Sequence, residues 1–309
     1  MPTSQTRRWL LSLTVFIAAC ACTKNTAQVR LAEAAPAPPA PAKAAGDKAA
    51  AAPSDDSTPP PGIDVGKLDE FERKVFYRIV NREPSACGKG HSLLESAKHD
   101  SSCRASFYAV RYVVHLVDSG FTDSEISEKL DKRYRTPRAS TIDVSGAPSK
   151  GSPTGRVSVI EFVDYECPHC KRAQALMREL VEEYPNDIKV CFKHFPLSAH
   201  PNARLAAEGA VAALKQGKFW PFNDKVWESS DNLTPAVLEK IAKTSGLNVV
   251  RWRADADGDE VKARVDKDKA EGNNLNIFAT PTIFINGRKY NDPLDIASLR
   301  DWIDEELGR

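Results

Sequence analysis

Two cysteines separated by two residues lie between a strand pattern and a helix pattern, and this stretch limits the possible folds more than any other. The apolar run 157–163 predicts a buried strand, and apolar residues at helical spacing follow over 173–184. Cys167 falls at the predicted start of that helix, and Pro168 suits its first position. Cys170 follows one helical turn later. Such a pair can bind a metal, staple the chain, or exchange disulfides with other molecules.

The position of the pair favours exchange. A helix N-terminus carries a partial positive charge and free N–H groups, which stabilise a thiolate at Cys167. A protonated or hydrogen-bonding His169 would add to this effect. A metal site would need further cysteine or histidine ligands, and no second pair at this spacing exists. A disulfide across one helical turn closes too short a loop to act as a staple. We therefore expect no metal and no cofactor besides the Cys167–Cys170 disulfide.

The N-terminus predicts export. Residues 1–20 resemble a signal peptide, with the basic residues Arg7 and Arg8 near its start. The apolar segment over 9–19 that follows them is too short to span a bilayer. The segment ends in IAAC, which resembles the lipobox of bacterial lipoproteins, where the cysteine is lipidated and becomes the new N-terminus. This resemblance implies lipidation of Cys20 and a location in the cell envelope, on the periplasmic face of a bacterial membrane. The alternative is an ordinary secretion signal with incidental cysteines.

Composition divides the rest of the chain. Residues 21–62 are rich in Ala and Pro without apolar periodicity, which predicts a disordered tether. Helix-spaced apolar residues over 63–136 predict a small all-α module of about three helices. A polar stretch with Gly and Pro, 137–152, indicates a linker. The region 153–309 alternates strands and helices, with helical patterns over about 200–276, and predicts an α/β domain.

A second pair of cysteines lies in the helical module. Cys87 and Cys103 flank one predicted loop, and in an exported protein such a pair is most simply a structural disulfide. Closing this loop would stabilise the module by roughly 3 kcal/mol. A second redox-active pair is the alternative.

A proline at the start of a late strand completes the pattern. Pro281 opens an otherwise regular strand in ATPTIFING and cannot donate a hydrogen bond to a neighbouring strand. A cis bond after Thr280, placed at an active site, is one way to accommodate it. An ordinary proline at the first position of a strand is the other.

Together, CPHC, TPT and the segment AHPNARLAAEGAVAALKQGKFWPFNDKVW resemble the DsbA and BdbD-like periplasmic disulfide oxidoreductases. The resemblance covers about 153–309 and implies a thioredoxin-like α/β fold with a helical insertion. It implies Cys167 as nucleophile, Cys170 as resolving cysteine, His169 as a residue that tunes their reactivity, and Pro281 as a cis-proline beside them. It also implies a buried acid on the first strand, at the position six residues before the nucleophile.

That acid is Glu161, for which a salt-bridged strand residue is the alternative interpretation. Thr280 departs from the hydrophobic residue often found before the proline in DsbA itself. This departure leaves the direction of exchange open among oxidation, isomerisation and reduction.

Charge and motif together predict an enzyme. The 43 basic and 42 acidic residues are balanced, so we expect no nucleic-acid partner. The prediction is a membrane-tethered thiol–disulfide oxidoreductase. Its expected partners are exported proteins with thiols or disulfides, and a membrane or soluble redox protein that resets the pair. A client-specific thiol reductase, or a non-catalytic lipoprotein that binds partners through the same fold, remains the alternative.

Overall fold

The computed structural model describes residues 56–136 and 141–308. The predicted signal peptide, the lipidation site Cys20 and residues 21–55 of the predicted tether lie outside the described residues. The end of that tether, 56–62, contacts the helical module. Asn81 donates a hydrogen bond from Nδ2 to the main-chain oxygen of Asp56 at 2.8 Å, and Lys98 pairs with the Asp56 carboxylate. The folded part therefore begins before residue 63.

The helical module contains four α-helices and a π-helical turn at Asp131–Arg135. The helices are α1 (Glu70–Arg82), α2 (Leu93–His99), α3 (Arg104–Asp118) and α4 (Asp123–Leu130). The predicted number of about three is wrong because α2 has only seven residues, too few to show a helical period in the sequence. Thr122 and Glu125 form a capping box at the start of α4.

The second half of the structure contains a five-stranded sheet. Its strands lie in the order β1-β3-β2-β4-β5. They are β1 (Ser149–Gly151), β2 (Val157–Val163), β3 (Ile188–His194), β4 (Thr282–Ile285) and β5 (Arg288–Lys289). Strands β2 and β3 are parallel and joined by α5 (Pro168–Glu183), so the predicted βαβ unit is confirmed. The other pairings are antiparallel.

The predicted linker 137–152 extends too far, because β1 lies within it. This strand pairs with β3, with Ser149 opposite Cys191. Gly151 has φ +83°, and a Cβ there would lie 2.4 Å from the main-chain oxygen of Ile188. Only glycine fits so close to the neighbouring strand. Residues 149–151 therefore belong to the sheet.

Helices pack around the sheet. Between β3 and β4 lie α6 (Ala203–Lys215), α7 (Phe219–Glu228), α8 (Pro235–Thr244), α9 (Val249–Ala256) and α10 (Asp259–Asn274). This confirms the predicted helical insertion, and α11 (Ile296–Leu307) closes the chain. One apolar core joins the start of α5 to α6, α7 and α8. No helix among the described residues is long and apolar enough to cross a membrane.

A buried arginine connects the helical module to the α/β domain. Arg133 lies in the π-helical turn, and its side chain is only 3% exposed. Its guanidinium contacts Asp292 at 2.6 Å and Glu305 at 2.7 Å. The same group lies over the rings of Tyr112 and Trp302. The two parts therefore share a desolvated ionic contact as well as apolar surface.

Candidate active site

The turn from β2 to α5 presents the cysteine pair. Val163 ends the strand, and Cys167 donates its main-chain N–H to the main-chain oxygen of Asp164 at 3.1 Å. Cys167 is then the N-cap residue of α5, and Pro168 is the first residue of the helix. Proline is favoured at this position because its missing N–H would have no partner in the first turn. The sequence thus places one sulfur at the positive end of a helix.

The two thiols differ in exposure and in acidity. Both are free, but Cys167 is 6% exposed and Cys170 is fully buried. The pKa of Cys167 is lowered to about 5, mainly because the Cys170 thiol donates a hydrogen bond to its sulfur. The side chain of Thr280 and the main-chain N–H groups of Cys170 and His169 lower the pKa further, while burial opposes them. At neutral pH Cys167 is a thiolate.

Cys170 behaves in the opposite way. Burial raises the pKa of its thiol far above the usual range, and the hydrogen bond to Cys167 raises it further. A thiol that stays protonated can serve as the hydrogen-bond donor that stabilises the neighbouring thiolate. The pair therefore consists of a thiolate that keeps a small exposed surface and a fully buried, protonated partner.

His169 acts on this pair through its main chain. Its N–H group contributes to the low pKa of Cys167. The side chain is exposed, and Nδ1 lies 2.5 Å from Nη2 of Arg172. A tuning role of the imidazole itself stays a prediction.

Thr280 and Pro281 reach the site from the other side of the sheet. The Thr280–Pro281 peptide bond is cis. The Cys167 sulfur lies 3.2 Å from the main-chain oxygen of Thr280, across a separation of 113 residues, and donates to it when protonated. Below this contact, Thr282 donates its hydroxyl to the main-chain oxygen of Ala279 at 2.8 Å and fixes the turn into β4. The structure brings the two predicted motifs together.

Glu161 lies buried on β2 with 2% of its surface exposed. Gln174, on the facing helix α5, donates from Nε2 to the Glu161 carboxylate at 3.0 Å. Burial raises the pKa of Glu161 to about 7. Among the ion pairs of the described residues none contains Glu161, so a salt-bridged strand residue does not describe it.

Two acidic residues beside the cysteines were not singled out from the sequence. Asp164 and Glu166 flank the turn and contact the segment 197–202, which precedes α6. His200 lies in that segment, with Nδ1 2.8 Å from the Asp164 carboxylate. The residues that meet are more than 30 positions apart in sequence, and no local pattern links them.

The remaining cysteines are separate from this pair. Cys87 and Cys103 form a disulfide, and Cys103 is buried at the N-cap of α3 with its sulfur 3.2 Å from the Ser106 hydroxyl. Cys191 is buried on β3, where it faces Ile160 of β2 in the strand register.

Comparison with known proteins identifies the domain around this site. A family model described as thioredoxin matches residues 144–305. The crystal structure of oxidised BdbD from Bacillus subtilis is 26% identical, with a TM-score of 0.51. It covers 56% of this chain and 100% of that one. The resemblance to BdbD expected from CPHC and TPT is therefore confirmed.

Curated relatives match about half of the chain. A protein named Na(+)/H(+) antiporter NhaA 3, from Salinispora tropica, is 34% identical over 151 residues, which are 48% of this chain and 23% of that protein. A protein named Na(+)/H(+) antiporter NhaA, from Herminiimonas arsenicoxydans, is 33% identical over 146 residues, or 47% of this chain and 23% of that one. The match thus spans about a quarter of these relatives. With a family match across more than half of its length, the chain belongs to the thioredoxin family.

Proposed function

We propose that this protein is a thiol–disulfide oxidoreductase that acts on exported proteins through Cys167 and Cys170. The observation that carries the proposal is the asymmetry of the pair, with a thiol that is 6% exposed and has its pKa lowered to about 5 beside a fully buried thiol whose pKa is raised. Catalytic exchange needs one sulfur that attacks or leaves easily and a second that resolves the intermediate. The redox group is the pair itself, and the proposal requires no other cofactor.

The proposed oxidation of a substrate dithiol takes two exchanges. A substrate thiolate attacks Cys167 in the oxidised pair, the bond between Cys167 and Cys170 breaks, and the Cys170 sulfur takes up a proton. The second substrate thiolate then attacks the substrate sulfur bound to Cys167. A substrate disulfide forms, and Cys167 leaves as a thiolate stabilised by the helix N-terminus. Two electrons pass to the pair, and the disulfide of a redox partner must remove them.

The low pKa of Cys167 supports disulfide donation over reduction. A stabilised thiolate favours the reduced form of the pair, and a pair with a favoured reduced form is a strong oxidant. We expect a potential above about −200 mV in a glutathione buffer, whereas a thioredoxin-like reductase would lie near −270 mV. Turnover of a dithiol peptide by the wild type, and none by Cys167→Ser, would support the proposal. A wild-type protein without turnover in either direction would instead indicate a binding protein.

A trapping experiment tests the roles of the two sulfurs. The variant Cys170→Ala cannot form the oxidised pair, so its Cys167 thiolate forms a mixed disulfide by attacking a substrate disulfide. Cys170 is no longer there to attack that mixed disulfide, so its release waits for a thiol of the substrate or of another molecule, and the adduct accumulates. We expect adducts with exported proteins on non-reducing gels for Cys170→Ala and none for Cys167→Ala. Adducts that form through Cys170 would reverse the assignment.

We also propose that a lipid on Cys20 holds the protein at the periplasmic face of a membrane. The IAAC sequence and the Ala- and Pro-rich segment after it support this location. A palmitate analogue fed to cells should label the wild type, and Cys20→Ser should remove the label. Labelling that persists in the variant would refute lipidation at Cys20.

A further inference from the structure

The carboxylate of Asp164 has contacts that the exchange reaction does not explain. Its side chain is fully buried, although it lies only three residues from Cys167. Oδ1 accepts the N–H of Glu166 at 2.8 Å, and Oδ2 accepts the N–H of Leu197 at 2.7 Å. The ring of His200 completes the set, with Nδ1 2.8 Å from Oδ2. A buried carboxylate is costly unless all its interactions are satisfied, so this set of contacts is specific.

The segment that carries His200 follows the catalytic turn along its length. Phe195 donates its N–H to the main-chain oxygen of Val163 at 2.8 Å, at the end of the strands. Further along, Asn202 donates its N–H to the Glu166 carboxylate at 2.7 Å. Between these two contacts lies the pair of Asp164 and His200. The segment 195–202 thus fixes the turn at its start, middle and end.

The main chain of Asp164 contacts both cysteines. Its oxygen accepts the N–H of Cys167 at 3.1 Å, and its own N–H is a hydrogen-bond donor to the sulfur of Cys170. A rotation of this one residue would therefore disturb the N-cap of α5 and the environment of both sulfurs. The carboxylate and its partners prevent that rotation.

We propose, on the basis of the function proposed above, that Asp164 and His200 form a positioning pair that holds the turn before Cys167 in the geometry needed for disulfide exchange. Neither side chain contacts a sulfur, so both act through the main chain. The ring of His200 lies against the Asp164 carboxylate, with Nδ1 2.8 Å from Oδ2. It thereby limits the movement of a side chain that also accepts two main-chain N–H groups.

The test measures the pKa of Cys167 from the ultraviolet absorbance of its thiolate in the reduced, full-length protein. We expect His200→Ala to raise this pKa by about one unit, which is roughly a tenfold loss of thiolate below the pKa. His200→Asn should return the pKa of Cys167 most of the way to its wild-type value, because the asparagine amide can place a donor near the position of Nδ1. The redox potential of the Cys167–Cys170 pair should become more negative in His200→Ala, because a less stabilised thiolate disfavours the reduced form.

A double variant separates positioning from simple charge compensation. Asp164→Asn combined with His200→Ala removes the negative charge together with its partner. If the pair positions the turn, the pKa of Cys167 stays raised in the double variant. If His200 only neutralises a charge, the pKa returns to the wild-type value, and the proposal is overturned.

Two control variants exclude indirect effects. Thr234→Ala removes the N-cap side chain of α8 and destabilises the domain away from the turn, so loss of stability alone should not move the pKa of Cys167. His99→Ala removes an exposed histidine of the helical module. An unchanged pKa in His200→Ala would refute the positioning role, and it would leave the proposed function intact if wild-type turnover is present. Absence of wild-type turnover would instead refute the proposed function.

Discussion

At the scale of single residues, the site is governed by where a proton resides. Cys167 and Cys170 are the same chemical group three positions apart, yet burial and hydrogen bonding move their pKa values in opposite directions. The Cys170 thiol is the largest cause of the low pKa of Cys167. The nucleophile therefore depends on its partner being reduced and protonated.

The alkylation rate of the reduced protein should follow the pKa of Cys167. With that pKa lowered to about 5, the thiolate fraction is nearly complete at pH 7, so the rate should be flat down to about pH 6. Below pH 5 it should fall roughly tenfold per pH unit, because each unit removes nine-tenths of the remaining thiolate. Cys170→Ala should move this midpoint upward because it removes the main hydrogen-bond donor. A midpoint near pH 8.5 in the wild type would contradict the geometry.

The buried carboxyl group of Glu161 makes the stability of the fold depend on pH. Its pKa is raised by burial from 4.5 to about 7, so the folded state binds a proton that the unfolded state releases at lower pH. The resulting stabilisation is complete below about pH 4.5 and is lost as pH rises through about 7. We expect Glu161→Gln to be more stable than the wild type at pH 8, by about 2 kcal/mol. Equal urea midpoints for both proteins at pH 8, with different midpoints at pH 5, would contradict this sign.

At the scale of elements, the module disulfide joins the start of α3 to the loop before α2. Cys87 is exposed and Cys103 is buried, and the 16-residue separation encloses all of α2. Helix α2 is short, so its stability depends on contacts beyond its own hydrogen bonds. The disulfide limits how far α2 and its flanking loops can spread in the unfolded chain.

Replacing both cysteines should therefore destabilise the module. We expect Cys87→Ser with Cys103→Ser to lower the free energy of unfolding by about 3 kcal/mol, in line with loops of this length. Chemical denaturation of the purified protein measures the effect. The pKa of Cys167 should not change, because neither sulfur of the module contacts the exchange pair. A variant with unchanged stability would show that packing alone holds α2.

Sequence patterns predicted the elements that have an internal period. The strand β2 and the helix α5 each carry their own signal in apolar spacing. The three-residue strand β1 has no such signal, since a polar edge strand this short shows no alternation. Helix α2 was not predicted because its seven residues are too few to show a helical period. Contacts between distant residues, such as that of Asp164 with His200, leave no local trace.

At the scale of the whole molecule, the buried contact of Arg133 unites the two parts. The stretch DKRYR appears polar and solvent-exposed in the sequence, and nothing local indicates that one of its arginines is buried between Tyr112 and Trp302. Its two carboxylate partners, Asp292 and Glu305, come from the far end of the chain. Only the assembled fold reveals this contact, which places charges inside an interface that must satisfy them completely.

Removing Arg133 should leave the buried carboxylate of Asp292 without its ion-pair partner and that of Glu305 with the longer contact to Arg288, at 3.6 Å. We expect Arg133→Met to cost about 3–5 kcal/mol and to separate unfolding into two transitions, one for each part. Calorimetry of the full chain measures both effects. Arg300→Met is the matched control, since Arg300 pairs with Glu179 and Glu183 at the surface and such pairs contribute at most about 1 kcal/mol. Similar losses of unfolding free energy in both variants would show that the buried Arg133 contact contributes no more than a surface ion pair.

The disulfide between Cys87 and Cys103 makes this protein a client of the chemistry proposed for it. If the protein is exported as proposed, a new chain arrives with its thiols unpaired, and Cys87 must be joined to Cys103 while the buried cysteines Cys167, Cys170 and Cys191 stay out of that bond. An oxidant already present in the same compartment has to supply that bond. Under the proposed function, mature copies can serve each new generation, so maturation becomes self-propagating and depends on how many finished molecules the cell already holds.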